Sequence, residues 1–569
     1  MATRRRVRPG RAGRWLAAAL LAAAPAALAA GAAPPQVRVP QGLVQGVAEA
    51  DDAIVAYKGI PYAAAPTGAL RWRPPAPAPA WRGVLQARAF GAACPQPPAQ
   101  PGSVYAGRMA RTSEDCLTLN IWAPADAHRL PVMVWIHGGA LVSGSSSEPL
   151  YDGAALAARG IVVVSINYRL GLLGFLAHPA LSAESPDGLS GNYGLLDQIA
   201  ALRWVRDAIG GFGGDPARVT IAGESAGALS VIALLASPRA RGLFSGAIAQ
   251  SGYMPSYRAL RAPSLGLPSA EAAGAALAKA AGATDARALR ATDPAALFMA
   301  GLATGWQPEP VIDGAVLEHQ LAATFARGEQ AKVPVLVGFN EGEIRSLPFL
   351  MPSVPSSPAA YAADVRRRFG DAAETFLAVY PGVDPKADAM ASIRDGLYGW
   401  AAQYVARAQA AAGQGAYLYY YRHSTPAQRA RGLAAFHASE LPYVFGRIGA
   451  RTGIGPNWPP APQTAEERRL SEAMMGYWTG FVRDGAPAAE GAAAWPRYTA
   501  EARGYLDIDD SPAAARDLHP GAFALADALV ASRWTAGRGW RLDIGFSAYP
   551  PPPAAAVDAP AATRQPERR

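Results

Sequence analysis

Cysteine and lysine are the scarce residues of this chain. Two cysteines, Cys94 and Cys116, occur in 569 residues, so a single bridge is the most that sulfur can supply. Lysine is confined to Lys58, Lys279, Lys332 and Lys386, with arginine in its place elsewhere. The net charge of +9 is unevenly placed: Arg4, Arg5, Arg6, Arg8, Arg11 and Arg14 carry +6, leaving +3 for the rest. No basic stripe remains, which argues against a nucleic-acid partner. The paired histidines and glutamate of helical zinc-protease sites are absent, so no metal site is expected. Beyond the N-terminus no apolar run is long enough to suggest a membrane span.

The N-terminus itself reads as a targeting segment. A basic stretch ends at Arg14, an apolar run follows from Trp15 to Ala30, and small residues close it. The run is about 16 residues long and holds Pro25, short for a membrane anchor. Residues 1–33 are therefore expected to be a signal peptide, and the protein to be exported, periplasmic or secreted, with no stable membrane insertion after cleavage. Export permits Cys94 and Cys116, 22 positions apart, to pair, and the proline-rich loop between them would gain from a staple; the alternative is two separate buried thiols.

Half of the residues are hydrophobic, enough for one large core. Apolar runs at Leu117–Trp122, Pro131–Ile136, Ile161–Ile166, Val219–Gly223, Phe244–Ala249, Val333–Phe339 and Ala416–Tyr421 suit buried strands. Helical patterns lie between them, as over Gly194–Ile209, and predict an α/β fold with a mostly parallel sheet and helices on both faces. Residues 263–300 and 354–412 read as helical insertions above the strand ends. One domain over residues 37–546 is expected, and the Pro- and Ala-rich residues 547–569 read as a disordered tail.

The chemistry concentrates at Gly223-Glu224-Ser225-Ala226-Gly227. A β-branched strand precedes it and a small-residue helix, Ala228–Ala236, follows. Strand, G-x-S-x-G and helix together describe a nucleophile elbow, in which a sharp turn pushes the serine hydroxyl out of the backbone. A serine needs a base, an acid to orient that base, and donors for the oxyanion. Of the C-terminal histidines His423, His437 and His519, position alone slightly favours His437. The acid should follow a strand, and the exit of Val333–Phe339 offers both Glu341 and Glu343. Donors should come from a tight turn after an earlier strand, which is met by His137-Gly138-Gly139-Ala140, with the Ala226 amide completing the hole. His137 is expected to organise this turn rather than to move protons.

These motifs resemble the type-B carboxylesterase/lipase family, which includes cholinesterases and bacterial carboxylesterases. The resemblance rests on Phe212–Gly227, on Glu114-Asp-Cys-Leu-Thr-Leu-Asn-Ile-Trp-Ala-Pro124, and on Gly59-Ile-Pro-Tyr62, Asn167-Tyr-Arg-Leu-Gly171, Asp197-Gln198, Gln250-Ser-Gly252 and Tyr477-Trp478. It implies a single α/β-hydrolase domain with large insertions, acting on small-molecule esters. It implies a disulfide between Cys94 and Cys116, a nucleophile at Ser225, a base at His437, and donors at Gly139, Ala140 and Ala226. The family's Asp-Glu-Gly at the acid is broken here, and counting from Gly338 without a gap points to Glu343 over Glu341. A third glycine of the oxyanion turn is Ala140, which keeps its amide. The tryptophan that cholinesterases carry in the disulfide loop is missing; the aromatic there is Tyr105, so choline esters are disfavoured. Arg345, two residues past Glu343, reads as half of a structural ion pair, with a substrate carboxylate as the alternative partner. The expectation is ester hydrolysis through an acyl-enzyme, a serine chemistry that needs no cofactor, lost as acid protonates the histidine near pH ~6.5. The rival readings are a non-catalytic cholinesterase-like binding module, and a lipase or amidase using the same chemistry.

Overall fold

A computed structural model describes residues 36–546, apart from 51–52, 108–110, 450–454, 542 and 544. The expected signal peptide (1–33) and tail (547–569) lie outside the described residues. The strands are, in chain order, β1 (Gln36–Val39), β2 (Gly42–Gln45), β3 (Val47–Glu49), β4 (Ile54–Pro61) and β5 (Val84–Gln86). They continue with β6 (Thr118–Pro124), β7 (Leu130–Ile136), β8 (Val162–Ile166), β9 (Gly214–Glu224) and β10 (Gly246–Gln250). The last four are β11 (Val335–Asn340), β12 (Ala416–Tyr421), β13 (Gly504–Ile508) and β14 (Ala513–Arg516).

β1, β2 and β5 make a small separate sheet; the other eleven form one sheet in the order β14-β13-β12-β11-β10-β9-β7-β8-β6-β4-β3. The run from β13 to β8 is parallel, and the outer strands are antiparallel. The central strands β8, β10 and β11 are buried along their whole length, as parallel strands covered on both faces must be. Successive side chains of β7 alternate between two cores. Val132, Val134 and Ile136 pack with the helices Tyr193–Ala208 and Ala226–Ala236, while Met133 and Trp135 meet the helix Ala465–Asp484.

The chain reverses its direction of sheet growth at β7, which has β8 on one side and β9 on the other. In open α/β sheets the crevice outside the strand C-termini at such a point is where ligands bind. The turn after β7 and the turn after β9 both open there, and Ile136 is registered opposite Gly223. The two predicted insertions are helical: Ala270–Ala280, Ala286–Ala291 and Pro294–Thr304 follow β10, and Pro358–Phe369, Ala373–Val379, Pro385–Arg394 and Trp400–Ala411 follow β11. The last two join through a π-helical turn, Asp395–Gly399. β13 and β14 were not expected from the sequence; in β14, Ala513–Arg516 has neither β-branched nor aromatic residues to signal a strand.

Candidate functional site

β9 delivers Ser225 at φ 57° and ψ −122°, a left-handed backbone that a non-glycine residue adopts only under constraint. The constraint is close packing of strand and helix. A Cβ at Gly227 would lie 2.0 Å from the Ile136 carbonyl oxygen, and one at Gly223 would lie 2.6 Å from the Gly227 carbonyl carbon. Ser225 caps the helix Ala226–Ala236 from outside, and its amide donates to the Gln250 carbonyl at 2.9 Å. The elbow expected from the sequence is present.

The turn after β7 packs directly on this elbow: a Cβ at Gly138 would come within 3.1 Å of Ser225 Cβ. Gly139 (φ 102°) and Ala140 (φ 57°) continue it in the left-handed region and are exposed toward the crevice. Among the described residues, no protein acceptor takes the amides of Gly139, Ala140 or Ala226. His137 is buried beneath, donates from Nδ1 to the Gly138 carbonyl at 2.9 Å and stacks on Tyr168. Burial lowers its pKa to about 4, so it is neutral and holds the turn, as expected.

Glu343 and His437 meet. The imidazole Nδ1 donates to Glu343 Oε2 in a short hydrogen bond, and both residues are buried. Glu343 Oε1 accepts from Ser251 Oγ at 2.6 Å and from the Asn340 amide at 2.7 Å. Glu341 makes no hydrogen bond to the imidazole. His423 and His519 are engaged elsewhere, with Glu467 and Asp510 in one case and Asp395 in the other. Arg345 forms no ion pair among the described residues; it is exposed and donates to the Gly432 carbonyl at 3.2 Å.

The other ring nitrogen, Nε2, faces Glu224 Oε1 at 3.1 Å, and no hydrogen bond joins it to Ser225 Oγ in this conformation. Burial drives the His437 pKa down, but the charges of Glu224 and Glu343 outweigh this and raise it to about 9. Glu224 is itself pushed by burial up to about 8 against the pull of His437, and Glu440 by burial up to about 7 against a hydrogen bond from Asn340. Gln250 links this acidic pocket to the helix Ala465–Asp484, donating to Glu440 at 2.9 Å and accepting from Trp478 Nε1 at 2.9 Å.

The chain matches the carboxylesterase family over residues 33–525. It belongs to that family. Fumonisin B1 esterase of Sphingopyxis macrogoltabida is 38% identical over 476 residues, covering 82% of this chain and 84% of that protein. Para-nitrobenzyl esterase of Bacillus subtilis (strain 168) is 36% identical over 480 residues, covering 82% and 93%. A solved structure of a PNB esterase superposes with a TM-score of 0.74 at 33% identity, covering 87% of this chain and 99% of that one. The protein is thus a carboxylic ester hydrolase of α/β-hydrolase fold, as its motifs implied.

Several residues of this esterase's site escaped the sequence reading. Glu224 lies inside the elbow motif, yet G-x-S-x-G leaves that position open, so nothing marked it as a neighbour of His437. Ser251 lies in Gln250-Ser-Gly252 and Glu440 three residues after His437, and neither position pointed to a role. The disulfide between Cys94 and Cys116 is present, and no free cysteine remains among the described residues. Among those residues no helix is long and apolar enough to cross a membrane.

Proposed function

We propose that this esterase cleaves its substrate through an acyl-enzyme on Ser225, with His437 as base and Glu343 as the acid that orients it. The reading rests on one observation, the Nδ1 contact of His437 with a buried, doubly hydrogen-bonded Glu343 beside the elbow. Ser225 Oγ gives its proton to His437 Nε2 and bonds to the ester carbonyl carbon. The amides of Gly139, Ala140 and Ala226 take the developing oxyanion. Collapse of the tetrahedral adduct breaks the ester C–O bond, and the leaving alcohol receives the proton from His437. Water then repeats the sequence and frees the carboxylic acid. The first proton transfer requires Nε2 to turn from Glu224 Oε1, which it faces at 3.1 Å, toward Ser225 Oγ.

A fluorophosphonate probe followed by peptide mass mapping tests the nucleophile. Label on the peptide carrying Ser225 is expected, and label elsewhere or nowhere overturns the assignment. Para-nitrobenzyl and nitrophenyl esters are the first substrates to assay, the former because a relative is named for it.

The chain is also exported in this reading, on the strength of its arginine-rich and then apolar N-terminus. The N-terminal sequence of the mature protein, recovered from outside the cytoplasm, tests this; an intact Met1 on cytoplasmic protein overturns it.

A further inference from the structure

The disulfide loop between Cys94 and Cys116 reaches the loop that carries His437, and it does so through Tyr105. The Tyr105 hydroxyl donates to the His437 carbonyl at 2.9 Å and lies 2.7 Å from Ser346 Oγ, whose hydroxyl hydrogen is free to donate to it. Ser346 closes the short helical turn Glu343–Ser346 that begins with the candidate acid. One phenol oxygen therefore ties together the turn bearing Glu343 and the loop bearing His437.

His437 needs such a tie. Ala438, directly after it, sits at φ 69°, a conformation that an alanine keeps only when its surroundings fix it. The residues before it are held by Asn340, whose Nδ2 donates to the Phe436 carbonyl at 3.0 Å, and by the Gly342 amide, which donates to the Ala435 carbonyl at 2.8 Å. At His437 itself, among the described residues, Tyr105 is the group that grips the backbone. The ring of Tyr105 stands edge-on to the imidazole at 6.4 Å, and the ring of Tyr398 is tilted by 35° against the imidazole at 5.2 Å. Tyr105 is held in turn by Trp458, 6.1 Å away, and its loop by Asn457, which donates to the Ser103 carbonyl at 3.1 Å.

We propose that Tyr105 is a positioning residue for His437, its hydroxyl fixing the backbone from which the imidazole reaches Glu343 and the nucleophile. The inference rests on the triad reading above. It gives the one aromatic residue of the disulfide loop a task, and it makes that loop part of the catalytic geometry.

The test compares wild type, Tyr105→Phe, Ser346→Ala and the double variant on a nitrophenyl ester, with melting temperature measured for each. Tyr105→Phe keeps the ring and removes the tie, so kcat is expected to fall about 3- to 10-fold, the effect of one lost hydrogen bond, with KM changed by less than about twofold. Ser346→Ala is expected to lower kcat less, and to add nothing once Tyr105→Phe is present, because both act through the same oxygen. A wild-type kcat in Tyr105→Phe, a change confined to KM, or a fall in kcat that merely follows a lower melting temperature overturns the proposal. So does additivity of the two changes. Fluorophosphonate labelling of wild-type Ser225 is the control: if it fails, the triad reading is at fault, whereas labelled wild type with an unaffected Tyr105→Phe removes the positioning role alone.

Discussion

Glu224 Oε1 stands 3.1 Å from His437 Nε2, on the side of the imidazole opposite Glu343. The ring lies between two carboxylates, and this oxygen of Glu224 is buried without a hydrogen-bond partner. A base in this setting holds its proton more tightly than a free imidazole, and the macroscopic titration belongs to the Glu224–His437 pair.

The pH profile follows with a definite sign. His437 acts as base only when neutral, and its folded pKa is raised above the ordinary 6.5. Activity is therefore lost as pH falls through that raised value, so the acidic limb of kcat/KM should have its midpoint above pH 6.5, against the simpler expectation from sequence. Glu224→Gln removes the largest of the three raising charges, leaving those of Glu343 and Glu440, and should move the limb to lower pH. Profiles of the two proteins that superimpose, or a wild-type midpoint at or below 6.5, would contradict this.

Glu343→Gln should cost about 10³- to 10⁴-fold in kcat, since the carboxylate charge is lost and the amide group no longer enforces the Nδ1–H tautomer. Glu341→Gln should stay within about twofold, because its side chain makes no contact with the imidazole. Steady-state kinetics on one ester decides it, and the reverse ranking would move the acid to Glu341.

Arg169 and Asp197, from two motifs that carried the family resemblance, form a buried ion pair. Arg169 donates twice through its guanidinium, both at 2.7 Å, and its amide adds a third bond at 3.0 Å. Asp197→Ala leaves a buried guanidinium unpaired and should destabilise the fold by about 3–5 kcal/mol. Thermal or urea unfolding measures this, and an unchanged midpoint would show that the pair contributes little.

Replacing Cys94 and Cys116 together by serine opens a closed loop of 22 residues and should lower stability by about 3 kcal/mol in the chain-entropy account. The loss should be matched in the wild type by reductant. The loop also carries Tyr105, so kcat should fall in the same variant; full activity with lowered stability would uncouple the loop from the site.

The elbow was legible in the sequence because its geometry needs glycine on either side of Ser225, and the close approach of Gly227 to Ile136 bears that out. The parallel strands were legible because burial on both faces demands unbroken apolar runs. The surroundings of His437 were not. Glu224, Tyr105 and Tyr398 come to it from segments far apart in the chain, and each stands in a local pattern that many other roles would satisfy. The choice between Glu341 and Glu343 was similarly undecided locally: two carboxylates two residues apart differ only in which one the turn directs inward.

The π-helical turn Asp395–Gly399 holds Tyr398 against the imidazole, and its first residue is anchored by Arg394 and His519. Such a turn carries one more residue than a regular helix needs. Deleting that residue would restore the ordinary helical phase and swing Tyr398 by about 100° relative to the helix Trp400–Ala411. The wall behind the imidazole is thus governed by chain length as well as by side-chain identity.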